Sequence, residues 1–302
     1  MSSAASNPGL RRLTLRGPLA VLVTGLRRDR LAAIGAVTVL LIVLMALLAQ
    51  WIAPHPADAG TVTDPVNSLL APSWSHPFGT DQVGRDVLSR VIFGARTSLR
   101  IAIESLSLAA LIGVPLGVVA GYVGGWLDDA IMRVTDVFLA FPALLLALAL
   151  ESVVKPSVGN ASIAIAVTWW PWYTRLIRAQ ASAVGSTGYV AAARALGVSG
   201  WRIVLRHVLP NSVAPVTVQL SLDFGGVILT AAALSFLGLG AQDPTPEWGL
   251  MVSQGQALFA TDWWVVTFPG LAILITALGF NLLGDGLRTV LDPRQVIRDR
   301  DP

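Results

Sequence analysis

The sequence predicts an all-α polytopic membrane protein of about six transmembrane helices, and three observations carry that prediction. Of 302 residues, 54% are hydrophobic and 13% charged, with a mean hydropathy of +0.67. The charges flank long apolar stretches instead of being scattered as on a soluble surface, and about 20 apolar residues suffice to cross a bilayer core. Four groups of basic residues also fall on one side when six spans are threaded, which makes that side cytoplasmic, while Arg85, Arg90, Arg96 and Arg100 fall on the other beside Asp58, Asp64, Asp81 and Asp86. The net charge of +3 is carried almost wholly by arginine, with Lys155 the single lysine. These arginines read as topological markers and call for no nucleic-acid partner. Cysteine is absent, which excludes disulfide scaffolds and thiolate metal sites.

Residues 1–30 carry six arginines and read as a cytoplasmic segment. The first transmembrane helix follows over 31–53, too long for a signal-peptide core. Trp51 sits at its interface, and Pro54, His55 and Pro56 stop it. Residues 54–100 form an extracytoplasmic segment: 54–80 is broken by prolines and Gly79, and 84–98 carries Val87, Leu88, Val91 and Ile92 on one stripe. That stripe predicts a helix lying at the outer interface.

A core domain over 101–290 holds the other spans, at about Ser105–Tyr122, from after Asp136 to Leu150, Pro156–Thr174, Pro215–Leu237, and Trp263 or Trp264 to Leu283. Pro115 is tolerable inside the second span because neighbouring helices can satisfy the freed carbonyl. Small residues in the fifth, including Gly225, Gly226 and Ala231, allow close helix packing. Residues 291–302 are a cytoplasmic tail, so both termini are expected in the cytoplasm.

The cytoplasmic break at 179–211 has its own local logic. Ser186 or Thr187 can cap a short helix through Leu196, and Gly197 can end it in a left-handed conformation. Ser199 can cap a second helix, with Ile203, Val204, Leu205 and Val208 as apolar contacts, until Pro210 restricts it. Periodicity by itself is equally consistent with a polar connector resting on the membrane.

The stretch AAARALGVSGWRIVLRHVLPN resembles the cytoplasmic EAA loop of bacterial ABC importer permeases, with Ala192, Ala193, Gly197, Leu209 and Pro210 at the characteristic spacing. Residues 76–103 (HPFGTDQVGRDVLSRVIFGARTSLRIAI) and 234–255 (LSFLGLGAQDPTPEWGLMVSQG) resemble the C-type permease of dipeptide, oligopeptide and nickel importers. The resemblance implies the type I ABC importer permease fold and a place in the bacterial cytoplasmic membrane. It implies four kinds of contact: a homologous B-type permease, two ABC ATPase subunits, an extracytoplasmic substrate-binding protein and membrane lipid. The loop would then insert as a coupling helix into the ATPase, with Ser199 among its neighbouring residues. The chain departs from the pattern at Ala191, where the motif's glutamate stands, and near Ala231, where relatives carry an acidic residue.

No G-x-x-x-x-G-K-[ST] phosphate loop occurs, so the chain is read as non-catalytic, binding no cofactor itself, with ATP and magnesium expected on the ATPases. Arg194, Arg202 and Arg206 are candidates for docking an acidic ATPase surface or for the topological role shared by Arg133, Arg175 and Arg178. His207 is read as support for the loop. Asp223, a carboxylate within a span, is the candidate for the substrate path; it could meet a peptide amino terminus, pair with an arginine or lie shallower. Asp243, Glu247 and Trp248 are candidates for contact with the binding protein. His55, His76 and His207 are too dispersed for a shared metal site. Peptide import is the leading function; nickel import by the same architecture and an ion-coupled secondary transporter are the alternatives.

Overall fold

The computed structural model describes residues 29–291. The expected cytoplasmic head and most of the tail, with their arginines, lie outside the described residues. Helix α1 (Arg30–Leu47) starts where the Asp29 carboxylate accepts the N–H groups of Leu31 and Ala32, at 2.9 and 3.3 Å. A one-residue break leads into α2 (Ala49–Ile52), before Pro54. Two 3-10 turns, Pro56–Ala59 and Pro65–Asn67, punctuate the segment up to α3 (Val87–Val123). Then come α4 (Gly125–Leu139), α5 (Ala143–Glu151), α6 (Val158–Gly185), α7 (Gly188–Ala195) and α8 (Gly200–Ile203). A π-helical turn, Val204–Val208, joins α8 to α9 (Leu209–Ser212), and α10 (Ala214–Phe236), α11 (Trp248–Gly255), a 3-10 turn (Gln256–Leu258) and α12 (Trp264–Leu291) complete the described residues. No strand occurs among the described residues.

Burial is inverted relative to a soluble bundle. Ala32, Ala46, Ala95, Ala102, Ala109 and Ala161 are inside, whereas Leu31, Leu41, Leu47, Leu111 and Leu278 are exposed. Small residues between helices and large apolar ones outside suit a lipid solvent, where close backbone approach replaces hydrophobic burial as the packing force. Four described helices are long and apolar enough to cross a membrane, five if the bent pair α4 and α5 is one span. Helix α6 is 28 residues long but less apolar, because Asn160, several tryptophans, Arg175 and Arg178 occupy it.

Packing partners set the direction of each pass. Gly113, Gly117 and Gly121 of α3 face the α6 backbone at Trp170, Thr174 and Arg178 in that order, so α3 and α6 run parallel. A Cβ at Gly113 or Gly117 would stand 2.5 Å from an α6 carbonyl oxygen, and one at Gly121 closer still. Parallel neighbours need a return leg; α4 and α5 supply it, bent by 83° about Ala140–Pro142. Helices α1 and α12 are antiparallel, with Gly35 against Gly279 and Ala32 against Gly286, and α10 and α12 are antiparallel through Gly225 and Ala277. The described chain thus traverses the bundle six times. Its two ends lie at the same end of the bundle as residues 186–213.

Several expected boundaries move: the third span starts at Gly125 and not after Asp136, the sixth runs past Leu283 to Leu291, and two further changes bear on the packing. The separate interfacial helix over 84–98 does not exist: residues 87–98 are the first turns of the 37-residue α3, capped by Asp86, which accepts the Ser89 N–H at 2.8 Å. The charged Arg90, Arg96 and Arg100 mask that continuity in the sequence. The fourth span, expected to stop at Thr174, continues as helix to Gly185. Its extension is held by ion pairs to α4, Arg175 with Asp136 and Arg178 with Asp128 through Nε and Nη2 at 2.5 and 2.6 Å. Arg175 and Arg178 therefore clamp two helices.

Candidate functional site

Residues 186–213 build a compact platform. Ser186 closes α6, and Thr187 takes the N-cap position of α7 while its hydroxyl donates to the Val184 carbonyl at 2.6 Å. Gly197 adopts φ +75°, and the N–H groups of Gly197 and Val198 return to the carbonyls of Arg194 and Ala193 at 3.0 and 3.1 Å. This is a left-handed helix stop, a conformation that costs L-residues with a Cβ. Open space surrounds the missing Cβ of Gly197, so conformation and not packing selects glycine there. Ser199 holds the N-cap position of α8. Pro210 does not end the second helix as expected. Lacking an N–H, it cannot donate to the carbonyl of Arg206, and the π turn before it absorbs that loss, letting helix resume at Leu209.

Val190, Ile203 and Val208 are fully buried and anchor the platform. Outward it presents Leu196 at 84% exposure, Trp201 at 71% and Leu205 at 43%, beside exposed Ala192, Arg202, Arg206 and Pro210. Ala193 and Leu209 are half-buried supports. His207 is also half-buried, edge-on to Tyr189 with centroids 6.0 Å apart, and its carbonyl accepts the Asn211 side-chain amide. Arg194 turns back onto the end of α3, 4.8 Å above the Tyr122 ring. All three candidate docking arginines are exposed, with Arg194 engaged by Tyr122. The expected apolar contacts divide: Ile203 and Val208 face in, while Leu205 faces out.

Asp223 lies on α10 opposite α6. Its carboxylate accepts the Tyr173 hydroxyl at 2.7 Å and the Gln219 amide at 2.8 Å. Trp169, Trp172, Arg175, Leu176, Gln219 and Asp223 line a cavity of about 650 Å³, within the range of ~300–1,000 Å³ usual for small-ligand sites. One acidic group, one guanidinium and two indole faces thus share a wall. Trp169 and Trp172 both face this cavity, whereas Trp170 between them is buried against Phe138.

At the opposite end of the bundle, Asp81, Arg85 and Asp243 tie the segment before α3 to the segment before α11. Arg85 reaches Asp81 through Nε at 2.7 Å and Asp243 through Nη1 at 3.0 Å. Burial opposes the charge on Arg85, but Asp81 and Asp243 hold its pKa above the ordinary value. Burial likewise opposes the Asp243 carboxylate, while Arg85 and Gln254 hold its pKa below the usual range. Glu247 and Trp248 do not fulfil the expectation of a partner-facing surface. The Glu247 carboxylate is buried, caps α11 through the Leu250 N–H at 2.9 Å and accepts the Ser98 hydroxyl at 3.2 Å. Trp248 is fully buried against Gly94, its indole N–H donating to the Val91 carbonyl at 2.9 Å. Both pin α11 onto α3. Asp243 alone of the three stays accessible.

Residues 113–297 match the family described as binding-protein-dependent transport system inner membrane component, and residues 18–72 match the N-terminal transmembrane domain of oligopeptide transport permease C. The chain is 43% identical over 269 residues to a dipeptide transport system permease protein of Alkalihalophilus pseudofirmus, covering 89% of this chain and 88% of the relative. It is 45% identical over 275 residues to a probable D,D-dipeptide transport system permease protein of Escherichia coli strain K12, covering 91% of each. A glutathione transport system permease protein of Pectobacterium atrosepticum is 40% identical over 290 residues, 96% of each chain. Among solved structures, the methionine ABC transporter MetNI in an inward-facing conformation aligns with TM-score 0.54 at 18% identity, over 67% of this chain and 97% of that one.

Proposed function

This chain belongs to the family of binding-protein-dependent transport system inner membrane components, and from that premise we propose that it is the permease subunit of an ATP-driven ABC importer of small peptides. It is a multi-pass membrane protein with the type I ABC importer permease fold. The relatives named above for dipeptides and glutathione support a peptide cargo over nickel. Hydrolysis of ATP, with its magnesium, falls to partner ATPases.

The observation that carries the reading is the platform at 186–213: apolar Leu196, Trp201 and Leu205 project beyond the bundle while Val190, Ile203 and Val208 fix it rigidly. A rigid projection transmits a push from a partner, whereas a slack loop absorbs it. The ATPase docks there, which makes that end of the bundle, and both chain ends, cytoplasmic. A second permease completes the path, and the binding protein approaches the Asp243 end. In the cavity, Asp223 and the indole faces suit a peptide ammonium, and Arg175 suits its carboxylate.

Leu196→Ser combined with Trp201→Ser tests the docking role by removing the exposed apolar contacts and no buried one. Co-purification with the ATPases is expected to fall at least tenfold while membrane insertion stays normal. Full ATPase retention by the double variant sinks the assignment.

A further inference from the structure

The chain contains three histidines, and the fold brings two of them to one carboxylate. His55 lies just beyond α2, His76 in the turn-rich segment, and Asp86 at the N-cap of α3. The His76 Nδ1 is 3.0 Å from Asp86 Oδ1, and the His55 Nδ1 is 3.9 Å from Asp86 Oδ2. The two imidazoles stack with centroids 4.7 Å apart. One potential ligand atom from each of the three residues lies within 4.8 Å of the others.

We propose that His55, His76 and Asp86 form a binding site for a divalent first-row transition cation that locks the outer cap. Zinc bonds to imidazole nitrogen and carboxylate oxygen at about 2.0–2.2 Å, which places tetrahedral ligand atoms about 3.3–3.6 Å apart. The distances to the two Asp86 oxygens, 3.0 and 3.9 Å, lie on either side of that range, and all three ligand atoms lie within 4.8 Å, so a turn of the His55 ring brings them onto one ion. The His55 Nδ1 is buried without a hydrogen-bond partner, so a ligand atom waits there for an acceptor of its lone pair. Asp86 is fully buried and oriented by the Ser89 N–H, an outer contact of the kind that fixes metal ligands. His55 is 40% exposed, which leaves an entry route, a fourth position for water and freedom for its ring to close on the ion. The two imidazole nitrogens select zinc-like ions over calcium or magnesium. The ion ties together the end of the first span, the 54–86 segment and the start of α3. It is structural, not cargo, and the site stands whether or not the transport reading does.

The test uses the untagged full-length protein in detergent, stripped with a chelator and titrated with zinc against a chromophoric competitor. One equivalent is expected to bind and raise the melting temperature. His55→Gln and His76→Gln should each weaken binding at least tenfold, with His207→Gln unchanged. Because His76→Gln could impair folding, cobalt titration of the wild-type chain provides a second measurement: saturation of visible absorbance at one equivalent supports the site. No saturable zinc or cobalt binding, or zinc binding indifferent to both outer histidines, overturns it.

Discussion

Gly197 illustrates how much of the platform rests on one residue. Its φ of +75° costs a residue bearing a Cβ roughly 1–2 kcal/mol, and no neighbouring atom would meet that Cβ. Gly197→Ala should therefore reduce ATPase retention more than Gly197→Asn, because asparagine visits the left-handed region more readily. Equal retention by both variants and wild type would show that the turn conformation does not matter for docking. Glu247 yields a pH test. Burial pushes its pKa above the ordinary 4.5, against the opposing N–H groups of Gly249 and Leu250 and the hydroxyls of Ser235 and Ser98. A carboxyl with a raised folded pKa favours folding most below its unfolded pKa, and that contribution is lost as pH rises through the folded pKa. Thermal unfolding of Glu247→Gln relative to wild type should become more favourable to the variant between pH 4 and pH 7; a pH-independent difference contradicts the buried carboxyl.

Helices α3 and α6 meet along Gly113, Gly117 and Gly121, where the α6 backbone occupies the space of a side chain. Gly117→Leu should prevent that approach, at about 1–3 kcal/mol or more for overpacking, and abolish recovery of monodisperse protein. Gly159→Ala is the control, since nothing lies within 4 Å of its missing Cβ. Normal monodispersity of Gly117→Leu removes the stripe from the packing account. The four-residue spacing of these glycines stands in the sequence, but the helix that fills the space beside them is set only by the fold. The helix–glycine–helix pattern at 186–213 was also legible, because caps and left-handed glycine are local chemistry. What local chemistry could not reveal was pairing at a distance: Arg178 with Asp128, Tyr173 with Asp223, and His55 with His76 across the 54–86 segment. Nor could it show that Glu247 and Trp248 turn inward, since a proline-rich flank reads as surface until α3 is placed beside it.

For the whole molecule, the six passes leave the 186–213 platform and the Arg85–Asp243 cap at opposite ends, with the Asp223 cavity on the α6–α10 wall between them. On the proposed reading, that separation suits an importer, with delivery at one face, ATP-driven force at the other and a polar cavity between. Composition predicted the membrane solvent, and the resemblance of three segments predicted the family, but direction of transport depends on partners the chain meets on each side. The most direct measurement is uptake of a labelled dipeptide into liposomes holding the complete complex, with binding protein outside the permease cap and ATP at the platform side. Accumulation should require both ATP and the binding protein and fall at least tenfold in Asp223→Asn, whose assembly with the ATPases should be intact. Accumulation driven by a proton gradient without ATP would contradict the central claim.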